Sequence, residues 1–248
     1  MDPLSSRRAV VVGAGGLGGP ALLSLAAAGV GRLAVVDGDA VESSNLARQP
    51  LFGEADVGRR KAAAAAERLR RLFPAVAVEP VDGRFDEGSA SGLLAGADVL
   101  LDGSDNFETR FLANDAALRA GVPLVHGGAI RTTAQILTVI PGESACLRCL
   151  FEAPPPRGEV PACAEAGILG PLAGFAGALM AAEALRLLRG ERGAYVDRML
   201  VYESRAARGR AVVVRRRPDC TACPSAPRPP AARPAPESAS AAPAGGAA

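Results

Sequence analysis

The chain has no tryptophan, and aromatic residues make up only 4% of its 248 positions. That scarcity leaves little material for platforms on which nucleic-acid bases stack. An excess of one charge is missing too: 28 basic and 26 acidic residues leave a net charge of +2. This near balance argues against nucleic acid or an anionic membrane as a main partner. Histidine occurs once, as His126 in "PLVHGGAI". It falls at the end of a predicted strand, where a hydrogen bond to nearby backbone is its expected role. A dehydrogenase, which usually needs a proton donor for the substrate oxygen, finds few candidates here.

Long charge-free stretches are almost absent. No charge lies between Arg8 and Arg32, but residues 9–31 hold seven glycines and Pro20, which break an apolar export helix. Residues 168–188 ("ILGPLAGFAGALMAAEALRLL") approach the length of a membrane span but contain Glu183 and Arg186. A buried core helix is the expectation, in a cytoplasmic protein with no membrane partner. From Pro224 to Ala248 there is no valine, isoleucine, leucine or aromatic residue. The expected division is a folded unit over 1–223 and a disordered Ala/Pro-rich tail over 224–248.

What is present is an alternating pattern. Apolar runs bounded by turn residues predict strands at 8–12, 33–37, 76–81, 98–102 and 123–126. Helical patterns occupy 58–73 and 106–121 between them. Strand–helix alternation implies an α/β fold, a Rossmann-like doubly wound sheet that is mainly parallel. After residue 128, "AIRTTAQILTVIPG" and "MLVYESRAARGRAVVVRRRP" read as antiparallel strands that extend it. In "VVVGAGGLGGPALLSLAAAGVGRLAVVDGD", Gly13, Gly15 and Gly18 match the G-x-G-x-x-G dinucleotide fingerprint, and Asp37 follows at the expected distance. Read alone, that stretch describes an NAD-dependent oxidoreductase.

Four of the five cysteines form two C-x-x-C pairs, Cys146 with Cys149 and Cys220 with Cys223. Two thiolates on a tight turn can face one ion, and two such turns complete a tetrahedral zinc site. With no secretory features, two disulfides fit less well, and a second pair counts against a redox role. The metal would clip the C-terminal end of the fold to the middle of the chain. Cys163 stands apart in a Pro-rich segment before a helix. There its composition suits an activated thiol and an inert one equally.

The polar residues resolve the glycine loop differently from a dehydrogenase. Asn45 and Arg48 follow the second strand in "SSNLARQ", and Lys61 opens the next helix. Asp105, after the fourth strand, is suited to hold Mg²⁺. Two cations for phosphates and one carboxylate for a metal suggest phosphoryl or nucleotidyl transfer.

The segments "GAGGLG", "VVDGDAVESSNLARQ", "VGRRKA", "DGSDNFETR", "CLRC", "CAEAGILGP" and "CTAC" occur in uninterrupted order from about residue 8 to 223. Together they resemble the ThiF/MoeB/HesA family, the bacterial relatives of ubiquitin-activating enzymes. The resemblance implies an adenylyltransferase. Such an enzyme joins the C-terminal Gly-Gly carboxylate of a ubiquitin-like sulfur carrier to the α-phosphate of ATP and releases pyrophosphate. It implies that Gly16 lines the nucleotide and that Asp37 takes the ribose hydroxyls. Asn45, Arg48 and Lys61 would hold phosphates, Asp105 the Mg²⁺, and Asn106 would lie beside the nucleotide. A homodimer is implied, as is a loop near 152–165 over the carrier's tail, with Cys163 able to form a covalent carrier adduct. Family members usually carry a helical arm with a Tyr-x-Arg-Gln motif ahead of the first strand. Here Arg7 and Arg8 lie too close to that strand to serve. No rhodanese segment is present, so a cysteine desulfurase or rhodanese protein is the expected sulfur donor. A carrier-binding protein without catalysis is the alternative.

Overall fold

A computed structural model of the chain describes residues 3–155 and 167–223. The ordered elements follow the predicted alternation. They are β1 (Arg8–Val12), α1 (Gly18–Ala27), β2 (Arg32–Val36), α2 (Lys61–Leu72), β3 (Ala77–Val81), α3 (Glu87–Leu94), β4 (Val99–Asp102) and α4 (Phe107–Ala120). Then come β5 (Leu124–Ile130), β6 (Thr133–Val139), the one-turn α5 (Leu147–Leu150), α6 (Gly170–Leu188), β7 (Arg198–Glu203) and β8 (Arg208–Val213).

The strands form one eight-stranded sheet in the order β3-β2-β1-β4-β5-β6-β7-β8. The first five are parallel, and β5 to β8 pair antiparallel. Apart from β3, which lies exposed at the sheet edge, the parallel strands are buried on both faces, so they read as continuous apolar runs such as "AVVV". The chain leaves β1 toward one edge and returns through β4 on the other side. This reversal opens a crevice at the carboxyl ends of β1 and β4, where Val12 pairs with Asp102.

Two apolar layers sandwich the sheet. One packs α1, α2 and α6 against Val11, Val35, Leu101 and Val125. The other packs α3 and α4 against Val10, Val12, Leu100 and Leu124. Apolar helix α6 has the length and hydropathy of a membrane span, yet half of that window is buried in the protein. Its small residues explain why. A Cβ on Gly177 would fall 2.2 Å from the Leu17 carbonyl oxygen, so α6 lies directly on the glycine loop. Glu183, the charge inside this helix, is 2% exposed and fully bonded: its carboxylate accepts from Thr138 Oγ1 and from the amides of Ala194 and Tyr195.

Several boundaries differ from the sequence reading. Helix α2 starts at Lys61 instead of residue 58, because Arg60 is still extended. Strand β5 runs on to Ile130, since β6 folds back as its hairpin partner in register from Leu124↔Val139 to Ile130↔Thr133. Helix α3 was not expected; "EGSASGLL" carries two glycines, but Asp86 caps it by accepting from the Ser89 amide at 2.8 Å. Cys163 and residues 224–248 lie outside the described residues.

Candidate nucleotide site

The loop after β1 is shaped by two glycines. Gly13 has φ +86°, and a Cβ there would stand 2.9 Å from the Gly103 carbonyl oxygen. A Cβ on Gly18 would fall 1.7 Å from the Gly13 carbonyl oxygen, so the loop closes on the start of α1 only with glycine there. Gly15 and Gly16 line a cavity of about 630 Å³ at the crevice, a size suited to a nucleotide. Backbone amides at a helix N-terminus favour anionic groups such as phosphates.

Asp37 follows β2 and closes the loop from below. Its carboxylate accepts from the amides of Ala14 at 2.8 Å and Asp39 at 2.9 Å. Burial pushes its pKa above the ordinary carboxylate value, despite those bonds and the nearby Lys61 charge. Lys61, at the start of α2, reaches back to Asp39 with Nζ 2.9 Å from Oδ2, and its side chain is 8% exposed. Arg48 is half-buried, with one bond from its guanidinium to the Ser44 carbonyl oxygen at 3.1 Å. Across the crevice, Asp105 is exposed and has no hydrogen-bond partner among the described residues. Asn106 caps α4 by accepting from the Thr109 amide at 2.8 Å.

The cavity thus gathers Gly13, Gly15, Gly16, Asp37, Arg48, Lys61, Asp105 and Asn106. Gly18 and Asn45 stand outside its lining. Asn45 is buried behind it, giving its Nδ2 to Ser44 Oγ and accepting from Gln49 Nε2 at 3.2 Å. Gln49 itself lines the cavity, as does the segment Gly83–Asp86 after β3. Sequence reasoning passed over both. The rule that places ligands at strand carboxyl ends would have pointed to "DGRFD".

Asp102, the last residue of β4, differs from Asp37, Asp39 and Asp105, which border the cavity. It is fully buried, and it accepts from the amide and Oγ of Ser104 at 3.0 and 2.6 Å. Its other oxygen is 2.7 Å from His126 Nδ1. The expectation that His126 bonds backbone is therefore corrected: its ring faces a carboxylate. Register explains this, because β4 and β5 place Asp102 and His126 side by side. Burial alone would raise the Asp102 pKa, but the His126 bond, the Arg110 charge and Ser104 hold it below the usual range.

At the opposite end of the molecule, the four paired cysteines meet. Sγ–Sγ distances run 3.4 Å for Cys146–Cys223, 3.6 Å for Cys149–Cys223, 3.8 Å for Cys146–Cys220 and 3.9 Å for Cys146–Cys149. All four sulfur atoms lie within 4.8 Å of one another. Four thiolates bound tetrahedrally at the usual zinc–sulfur length stand about 3.8 Å apart, so the set fits zinc. Burial pushes the Cys146 thiol up to about 11 and raises Cys223 as well. In Cys220, burial is outweighed by the amides of Cys223 and Ala222 together with the Cys149 and Cys223 thiols, and the pKa is lowered. A divalent cation would reverse this reluctance to ionise. The knuckle is pinned to α4: the Leu147 amide donates to Asn114 Oδ1 at 2.9 Å, and Arg148 forks onto Asp115.

A glycine loop, an acid after β2, two cations and an exposed carboxylate on one crevice agree with a match to the ThiF family across residues 1–222. The chain belongs to the ThiF family. It is 48% identical over 220 residues to the SAMP-activating enzyme E1 of Haloferax volcanii, covering 89% of this chain and 81% of that one. It is 46% identical over 227 residues to the sulfur carrier protein adenylyltransferase of Thermus thermophilus, covering 90% and 84%. The adenylyltransferase and sulfurtransferase MOCS3 of Bos taurus is 44% identical over 221 residues, 89% of this chain but 49% of that longer one. Among solved structures, E. coli MccB superposes with a TM-score of 0.80 at 22% identity, over 90% of this chain and 67% of that one. That likeness concerns the fold.

Proposed function

We propose that this ThiF-family chain is a nucleotidyltransferase that adenylates the C-terminal glycine carboxylate of a ubiquitin-like sulfur carrier with ATP, releasing pyrophosphate. The observation that carries this reading is the convergence of Arg48, Lys61 and Asp105 on the cavity that the glycine loop and Asp37 border. It is joined by identities of 46–48% to relatives named for carrier activation. The glycine fingerprint suits NAD equally, but two cations and a metal-ready carboxylate suit a triphosphate.

In this reading Gly13, Gly15 and Gly16 offer the phosphates a close backbone, and Asp37 takes the ribose hydroxyls. Arg48 and Lys61 neutralise the charge that moves to the departing pyrophosphate as the carrier carboxylate attacks the α-phosphate. Lys61 must leave Asp39 to do so, and a triphosphate carries more charge than the exposed Asp39 it would replace. Asp105 would hold Mg²⁺, which when bound offsets phosphate charge and orients the reacting oxygens. Asn106 orders the N-terminus of α4 beside them, and Asn45 supports Gln49 from behind.

Cys146, Cys149, Cys220 and Cys223 would hold one structural zinc ion. A reducing, cytoplasmic setting suits four free thiols. Cys163 is assigned as a thiol nucleophile that attacks the carrier's acyl-adenylate, expelling AMP and forming a thioester. A homodimer and a separate persulfide donor complete the reading. ATP–pyrophosphate exchange with a purified Gly-Gly carrier is the test. Carrier binding without exchange would make the chain a non-catalytic carrier-binding protein. Heat protection by NAD and not by ATP with Mg²⁺ would return it to the oxidoreductases.

A further inference from the structure

The pair formed by Asp102 and His126 has no part in the reading above, and it sits beneath the reacting end of the crevice. Asp102 makes three bonds, and two of them go to Ser104, the residue immediately before Asp105. Because its pKa is held low, the carboxylate is ionised near neutrality and only accepts. The hydrogen between it and His126 therefore belongs to Nδ1. Arg110 grips the same residue from α4, its guanidinium donating to the Ser104 carbonyl oxygen at 3.2 Å. His126 itself is 6% exposed and does not border the cavity.

We propose that His126 is a positioning residue: acting through Asp102, it holds the Gly103–Asp105 turn so that the Asp105 carboxylate faces the cavity. A pair that served only to pin β4 to β5 would not need to spend two bonds on the turn beyond the strand. The imidazole orients the carboxylate, the carboxylate orients the turn, and the turn presents an acid that has no hydrogen-bond partner among the described residues. The inference rests on the reading of Asp105 as the metal-holding group.

The test uses the full-length protein, Mn²⁺ as a spin probe for the Mg²⁺ position, and a non-hydrolysable ATP analogue. His126→Phe should weaken Mn²⁺ binding about tenfold or more, the usual cost of losing a group that orients a ligand. Amides 103–106 should exchange hydrogen faster in the same variant, while analogue binding in EDTA stays within about twofold. His126→Asn, whose amide can still donate to Asp102, should return Mn²⁺ affinity to within about threefold of the parent. A lower melting temperature with unchanged Mn²⁺ affinity and unchanged exchange at 103–106 would overturn the proposal. Should His126→Phe fail to fold, Ser104→Ala decides: unchanged Mn²⁺ affinity and exchange there overturn it equally. A parent protein that binds no Mn²⁺ with the analogue refutes the nucleotide reading instead. Hydrogen exchange at 103–106 in metal-free protein then still judges His126.

Discussion

The cavity rim at the carboxyl ends of the parallel strands and the antiparallel extension of the sheet treat polar groups in opposite ways. Around β1, β2 and β4, among the described residues, Arg48 makes a single backbone contact, Lys61 leans on an exposed acid, and Asp105 has no hydrogen-bond partner. Around β5 to β8, Glu183 accepts three bonds. Asp197 takes the Ala145 amide at 2.8 Å and the Arg192 guanidinium, and Asn114 takes the Leu147 amide. Buried polar groups that are fully bonded stabilise and specify a fold, whereas charges left short of partners await a ligand. The two acids Asp37 and Asp102 show the same contrast at close range. Burial raises the pKa of the one beside the cavity, while bonds to His126 and Ser104 lower that of the other beneath it.

The sharpest way to break this comparison is to exchange effects between the halves. Asp105→Ala should cut pyrophosphate exchange by about 10²–10³, with the melting temperature unchanged, because it removes a group aimed at the reacting phosphate. Glu183→Ala should do the reverse. It should cost about 3 kcal/mol in denaturant unfolding, since a buried hydroxyl and two amides lose their acceptor, while the folded fraction still exchanges. An Asp105 variant with near-normal exchange would remove that residue from the site.

Next in size is the cysteine clip. Protein purified without added zinc should hold about one zinc per chain, and Cys146→Ser should lower the melting temperature without changing ATP-analogue affinity. Folded, metal-free protein with all four thiols titratable would contradict this. Arg48→Ala and Lys61→Ala should each slow exchange about tenfold or more, with most of the loss in kcat, if both act on charge that develops during reaction.

Smaller effects separate the two acids. The Asp102 pKa is lowered on folding, so its contribution to stability is present above the ordinary carboxylate range and lost as pH falls through it. The Asp37 pKa is raised on folding, so it opposes stability once pH exceeds that range. Asp102→Asn should therefore flatten the loss of stability in acid. Asp37→Asn should cost about 1–2 kcal/mol at pH 7, because one of its two amide donors loses its acceptor, while weakening ATP binding. Smallest of all is Cys163→Ala, which should retain pyrophosphate exchange because adenylation precedes any thiol step. Only the reductant-sensitive carrier adduct should disappear on a gel.

Much of this was legible before any coordinates. Glycine spacing, strand–helix alternation and paired C-x-x-C motifs are local, short-range signals, and each depends on backbone geometry that a few neighbouring residues set. They placed the parallel strands, the crevice and the residues that border it: Gly13, Asp37, Arg48, Lys61 and Asp105. They also implied that residues 146–149 and 220–223 meet. Distances in space were not legible. Asn45 was expected to hold phosphates because it follows the second strand in "SSNLARQ", but the short turn at Ser43–Asn45 sends it inward to Gln49. Helix α3 escaped because its two glycines hide a capped turn that tertiary packing stabilises. The β4–β5 register brings residues 24 apart in sequence into one buried hydrogen-bonded pair, and no pattern in "LLDGSD" or "LVHGG" announces it. Local sequence thus determined which chemistry the strand ends carry. Tertiary structure alone decided which polar groups are satisfied inside the protein and which are left facing the cavity, because that depends on strand register and on the closeness of α6 to the glycine loop.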